Sequence, residues 1–311
     1  MAEGGEDGSG IGTRLAALGR FASAIRETVR FGPLAWDADL PNLRGLTVNN
    51  CLRRQTDALQ GAVALGRAGH GHLAVSLVRA YLEERLWIAL LSRMSSSDAN
   101  SLLLAMGRWD AIRSLVAQRD YVGDRVMSLD LWYPPGFVDA QAGTLVQIRD
   151  ELRQLRTAWG WQGTLPSTAW VANEVGLRDE YEYLHSATSR AVHFSAGEVL
   201  RRCWGAPGGI LVTEKPEFRD HIAEFAYDQL WRQHLGTLVE AAELLEEASV
   251  AVPGSFFSED DRVELTRELQ ALGKVPLVHA HEWNLQPPPL GTRLAWAAVL
   301  LSHGDGISDP T

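Results

Sequence analysis

Apolar residues recur at three- and four-residue steps along most of the chain, the spacing of amphipathic helices. Leu15, Leu18, Phe21, Ile25 and Val29 share one face between Arg14 and Phe31. A loop with Pro33 and Pro41 separates this helix from a second, Leu43 to Arg67. Gly69 and Gly71 break the pattern, which resumes from His72 to Arg93. Ser95, Ser96, Ser97 and Asp98 supply N-caps for a helix reaching Arg119. The segment "DLWYPPGFVD" reads as a loop, because adjacent prolines stop regular structure. Val138 to Ala158 is helical and heavily charged, and "WGWQGTLPSTAW" is a tryptophan-bearing loop.

The next helix runs through "GLRDEYEYLHSATSRAVHFSAGEVLRR", Gly176 to Arg202, and ends near "WGAPGG". "ILVTEK" is a short strand or extended link. Pro216 suits the first turn of a long helix to Ala248. "SEDD" at 258–261 resembles a capping box opening one more helix. A tail with "QPPP" and a short apolar helix, Leu294 to Leu301, follows. The expected architecture is all-α: a disordered 1–12, a helical bundle over 13–250, and a small C-terminal helical appendage over 251–311.

Composition narrows the class. A chain of 311 residues with 46% hydrophobic residues can bury a large core. Its formal charge of -10 gives it no general attraction to phosphate backbones. Lys215 and Lys274 are the only lysines, which fits GC-rich codon usage. Cys51 and Cys203 stand far apart, so neither a disulfide scaffold nor a cysteine-based zinc site is expected. The N-terminus lacks the order of a secretory signal, and no apolar run has the roughly 20 residues of a membrane span. A soluble cytoplasmic protein without cofactor or metal is the expectation.

Candidate chemistry concentrates on the 176–202 helix. On a helical wheel Leu177, Tyr181, Leu184, Thr188, Ser195 and Val199 form a core stripe, with Ala191 beside it. Arg178, Glu182, His185 and Ser189, with His193 at the edge, form a second row about 110° away. Neighbours in that row are three or four residues apart and in reach of each other. A carboxylate beside an imidazole orients the ring and raises its basicity, and a hydroxyl can be its target or relay. The alternative is an ordinary ion pair with surface histidines. The helix His72 to Leu91 is apolar nearly all round yet carries Arg79, Glu83, Glu84 and Arg85. Charges on a core helix are costly unless paired. Arg79 and Glu83 either fix helix register or face His185, Ser189 and His193 across a cleft.

The pattern Leu77, Arg79, Glu83, Trp87, Ile88, followed by Tyr181, Leu184, Ser189, His193, Ser195, resembles a widespread bacterial family of helical proteins of unknown function, over roughly residues 45–240. That resemblance implies an intracellular helical protein with the arginine, acid, serine and histidine as signature polar positions. A remoter resemblance is to the HEPN-type helical ribonucleases of toxin and phage-defence systems, marked by an arginine, four to six residues, then a histidine. Arg178 to His185 fits, although "DEYEYL" between them is more acidic than the family's pattern. It implies metal-independent RNA cleavage, with histidine as acid or base and arginine stabilising the transition state, commonly at a homodimer interface or opposed by an antitoxin-like protein. The competing expectation is a non-catalytic helical module that binds a partner or small ligand. Glu182-x-x-His185 is half of a di-iron signature whose second half is missing. "HGH" at 70–72 and "HAHE" at 279–282 each offer two imidazoles, which are not a site. Walker, Rossmann and nucleophile-elbow patterns are missing. Trp159, Trp161 and Trp170 could wall a pocket or pack as core.

Overall fold

Leu18, Phe21, Ile25, Leu52 and Leu59, spaced at helical intervals in sequence, meet in one buried core with residues from seven other helices. The computed structural model describes residues 10–28, 42–193, 195, 216–248 and 259–277. These form an all-α bundle: α1 (Gly10–Thr28), α2 (Leu43–Arg67), a 3-10 turn (Gly71–Ala74), α3 (Val75–Arg93), α4 (Ser96–Val122), α5 (Asp124–Leu129), α6 (Phe137–Gly143), α7 (Leu145–Trp159), α8 (Thr168–Glu174), α9 (Arg178–Val192), α10 (Pro216–Ala248) and α11 (Glu259–Ala271). No helix among the described residues is long and apolar enough to cross a membrane.

The central element is α10, which packs on α1, α2, α3 and the 3-10 turn. It buries Phe225, Ala226, Leu230 and Trp231, and with them Asp228, Gln233, His234 and Thr237. A helix apolar on most sides belongs in the middle of a bundle. Ser95 caps α4 by accepting the Asp98 N–H, and Asn42 caps α2 by accepting that of Gly45. Helices α4, α6 and α7 form an arm, joined to the bundle through the α2–α4 contact.

Several elements differ from the sequence expectation. Helix α1 begins at Gly10, inside the stretch expected to be disordered. The 138–158 helix is two helices that break at Thr144, beside the poor helix former Gly143. The "YPPG" loop is flanked by α5 and α6. "ILVTEK", the loop with Pro33 and Pro41, the "QPPP" tail and Leu294–Leu301 lie outside the described residues.

The C-terminal segment packs on the bundle. Arg20 pairs with Glu268, and Arg14 donates to the carbonyls of Leu272 and Gly273. Past α11 the chain runs over α9 and α10. There the Val275 N–H reaches buried Asp228 at 3.5 Å, the Leu277 N–H donates to Tyr183 Oη at 3.2 Å, and the Leu277 carbonyl lies 3.2 Å from His221 Nε2.

Candidate functional site

Helix α9 opens with Asp179 and Glu180 in its first turn, where carboxylates complement the helix dipole. Leu184 and Thr188 are fully packed, and Leu177 and Tyr181 partly so, as the stripe predicts, whereas Ala187, outside the stripe, is buried and Ala191, beside it, is exposed. The helix stops at Val192, however, and His193 is extended. It does not reach Arg202, and Ser195 is not on its stripe. Arg93 donates to the Val175 carbonyl and Arg85 to Glu180, so α9 runs antiparallel to α3 and reaches the level of Val75, where α3 begins, near its own end.

The polar row is present but locally closed. Arg178 donates from Nε to Glu182 at 2.6 Å and from Nη1 to the Ala169 carbonyl at 3.2 Å, and its guanidinium sits 5.9 Å from the Tyr181 ring. His185 is half-buried against Tyr181, ring centroids 5.0 Å apart. Ser189 is half-buried, and His193 is exposed at the helix end, its N–H donating to the Ser189 carbonyl. Among the described residues no hydrogen bond joins Glu182 to His185, or His185 to the Ser189 side chain.

Arg79 and Glu83 close on each other at 3.0 Å along α3. Although α3 and α9 pack together, no hydrogen bond or ion pair links this pair to His185, Ser189 or His193 among the described residues. The polar junction between the helices is made elsewhere. Arg85 Nη1 donates to both Glu180 oxygens, at 3.0 and 3.1 Å, and Gln233 Nε2 donates to Glu180 at 2.6 Å. A Cβ on Gly236 would overlap the Arg85 guanidinium, so the glycine makes room for it. Sequence reasoning marked Arg85 but neither Glu180 nor Gln233. A glycine inside a bulky helix, next to Gln233, is the signal that could have found the junction.

Other buried polar groups lie where α1, α2, α3 and α10 meet. Glu84 pairs with Arg54, and burial raises its carboxyl above the usual range. Tyr81 donates to the Gln55 carbonyl. His234 is 0% exposed, packs against Phe21 and Tyr81 rings at 5.9 and 6.2 Å, and has no hydrogen-bond partner on either ring nitrogen among the described residues. Burial lowers its pKa to about 3. Among the described residues no group of three His, Cys, Asp or Glu could hold a metal ion. His70 and His72 stand 6.4 Å apart, ring to ring, without a third ligand, and His279 and His281 lie outside the described residues. Trp161 is buried edge-on to Trp170 at 5.7 Å, so it packs as core.

Among the described residues, the most exposed large apolar side chains lie at the far end of the α4–α7 arm, Leu131 and Trp132 of them in the stretch expected to be a loop. Tyr121 is 91% exposed and Trp132 85%, with Leu129 and Leu131 also exposed. Trp132 has φ 61°, the only non-glycine residue of positive φ among those described. Its left-handed backbone is fixed by the neighbouring Leu131 and Tyr133 N–H groups, which donate to the carbonyls of Val126 and Met127. Beside it is a cavity of about 240 Å³, lined in part by Asp124, Tyr133, Pro134, Arg119 and Asp139. Arg119 is taken by Asp120 and by Asp139, the latter at 2.5 Å. Asp124 has no hydrogen bond or ion pair among the described residues. No family model, no curated protein and no solved structure matches this chain.

Proposed function

We propose that the chain is a non-catalytic helical interaction module. Its arm docks a protein segment that carries a basic side chain among apolar ones. The observation that carries this reading is Trp132, held in a left-handed conformation and almost wholly exposed. Such a backbone costs of order 1–3 kcal/mol in a bulky residue, and an exposed tryptophan forgoes its burial energy. Folding gains nothing from either, whereas a partner gains a rigid aromatic anchor. Asp124 gives the adjoining cavity an uncompensated negative charge, and the Asp120, Arg119, Asp139 group leaves one further carboxylate in excess. A lysine or arginine is the complement of that cavity.

The arrangement on α9 supports the same choice. RNA cleavage asks for a cationic group free to meet phosphate, and the Arg178 guanidinium is occupied by Glu182 and Ala169. Asp179, Glu180 and Glu182 outnumber Arg178 in the first turns of α9, which is the wrong charge balance for an RNA backbone.

The test selects peptides from a displayed random library on the full chain. Selected sequences should pair lysine or arginine with aromatic or aliphatic residues. Trp132→Gly should lower their affinity at least tenfold while raising resistance to urea by about 1 kcal/mol, since glycine adopts positive φ without strain. Asp124→Asn should weaken binding several-fold, and His185→Ala should leave it unchanged. Peptides without basic residues, or equal binding by Trp132→Gly, would refute the reading. Cleavage of labelled RNA by the purified chain, lost in Arg178→Ala and His185→Ala, would transfer the function to α9.

A further inference from the structure

Tyr227 points to a second site, at the end of α2 away from the Arg44 bonds to α4. The side chain is 2% exposed, yet its hydroxyl makes no hydrogen bond among the described residues. A Cβ on Gly66 or on Gly71 would overlap that hydroxyl, so both glycines are needed for the ring to lie where it does. The hydroxyl lines a cavity of about 150 Å³ between the first turn of α1, the end of α2, the 3-10 turn and the start of α10. Burial and the Asp220 carboxylate push the phenol up to about 12, so it remains a neutral hydroxyl.

The walls divide by chemistry. Ile11, Leu15 and Ala223 are apolar. Arg219 is spent in part on the Gly69 carbonyl, at 3.3 Å. Asp220 lies on the cavity wall, largely exposed, with no hydrogen bond or ion pair among the described residues. The N-terminus of α1 would favour an anion, but the carboxylate of Glu224 lies against it, within 2.9 Å of where a Gly10 Cβ would stand. Arg219 stands on the wall for either ligand; the carboxylates of Asp220 and Glu224 oppose an anion, whereas Asp220 and the Tyr227 hydroxyl together favour an ammonium group.

We infer that this cavity binds a compact primary amine, its ammonium group between Asp220 and the Tyr227 hydroxyl and its apolar body against Ile11, Leu15 and Ala223. A cavity of roughly 150 Å³ admits a body about the size of benzene. The inference is independent of the docking tip, since the two share no residue.

The experiment is calorimetric titration of the full chain with benzylamine, benzyl alcohol and benzoate. Benzylamine should bind saturably with one site per chain, benzyl alcohol at least tenfold more weakly, and benzoate not at all. Asp220→Asn, a change at an exposed position, should cost benzylamine at least tenfold in affinity. Tyr227→Phe, which removes a single oxygen, should cost several-fold and leave the circular dichroism spectrum unchanged. The inference is overturned if benzylamine fails to saturate, if benzoate binds as well as benzylamine, or if both variants bind benzylamine like the parent.

Discussion

Replacing His234 by leucine is expected to make the fold markedly more resistant to acid. His234 has an ordinary pKa of 6.5 in the unfolded chain and about 3 in the folded one. Between those values the unfolded state binds a proton that the folded state refuses. Stability contributed at neutral pH is therefore lost as pH falls from 6.5 towards 3, at about 1.4 kcal/mol per pH unit. The whole interval amounts to about 4–5 kcal/mol, a large share of the 5–15 kcal/mol that typically separates folded from unfolded protein. The cause is the setting: two aromatic rings, no exposure, and, among the described residues, no acceptor for the proton on either nitrogen.

At pH 7 the leucine variant should be as stable as the parent or more so. It removes two buried nitrogens that have no partner and adds a side chain of compatible apolar character. Urea unfolding followed by circular dichroism at pH 7, 5 and 4 provides the readout. Glu84, whose carboxyl is raised by burial, titrates in the opposite sense in both proteins. The quantity to compare is therefore the difference between variant and parent at each pH. A difference that does not grow as pH falls would show that His234 finds a proton acceptor in the folded protein.

The architecture was readable in sequence wherever a helix is defined by its own signals. Asn42 and Ser95 cap where polar residues precede apolar periodicity, and the long α10 follows Pro216 as expected. The overestimate of α9 has a different origin. Periodicity through Val199 states which residues could be buried, but not where the backbone leaves the helix, which it does at an extended His193. The placement of α9 on α3 is likewise set by pairs drawn from distant parts of the chain, Arg85 with Glu180 and Arg93 with Val175.

The candidate site divides in the same way. Arg178 with Glu182 and Arg79 with Glu83 were legible because i,i+4 pairs are local. Trp132 was not, since two prolines announce a loop without telling whether the preceding tryptophan is buried or displayed. The sign of its φ follows from hydrogen bonds back to the carbonyls of Val126 and Met127, made by the residues on either side of it. Tyr227 was equally hidden, because "GRAGHGH" reads as a break between helices. Only the fold shows that Gly66 and Gly71 in that stretch leave space for a phenol from α10.

Gly236→Ala should destabilise the protein by about 2–3 kcal/mol, although alanine is the better helix former by about 1 kcal/mol. The new methyl group would overlap Arg85 Nε and Cζ. An arginine at a surface could swing aside. This one is held by both oxygens of Glu180 and by Gln233 Oε1 at 3.3 Å, and its side chain is largely buried. Moving it strains a packed junction, at roughly 1–3 kcal/mol, and weakens charge-assisted bonds worth about 1.5–3 kcal/mol. The favourable propensity of alanine offsets only part of that sum. If the clash is the cause, it disappears with the arginine. Arg85→Ala alone should also be destabilising, since it strands Glu180 and Gln233. In that background Gly236→Ala should become neutral or stabilising by up to about 1 kcal/mol. The coupling energy of the cycle is then about 3 kcal/mol, and urea titration of the four proteins measures it. Additive effects would mean that Gly236 answers to some neighbour other than Arg85. Strong coupling would establish that one glycine on α10 sets where α3 and α9 meet.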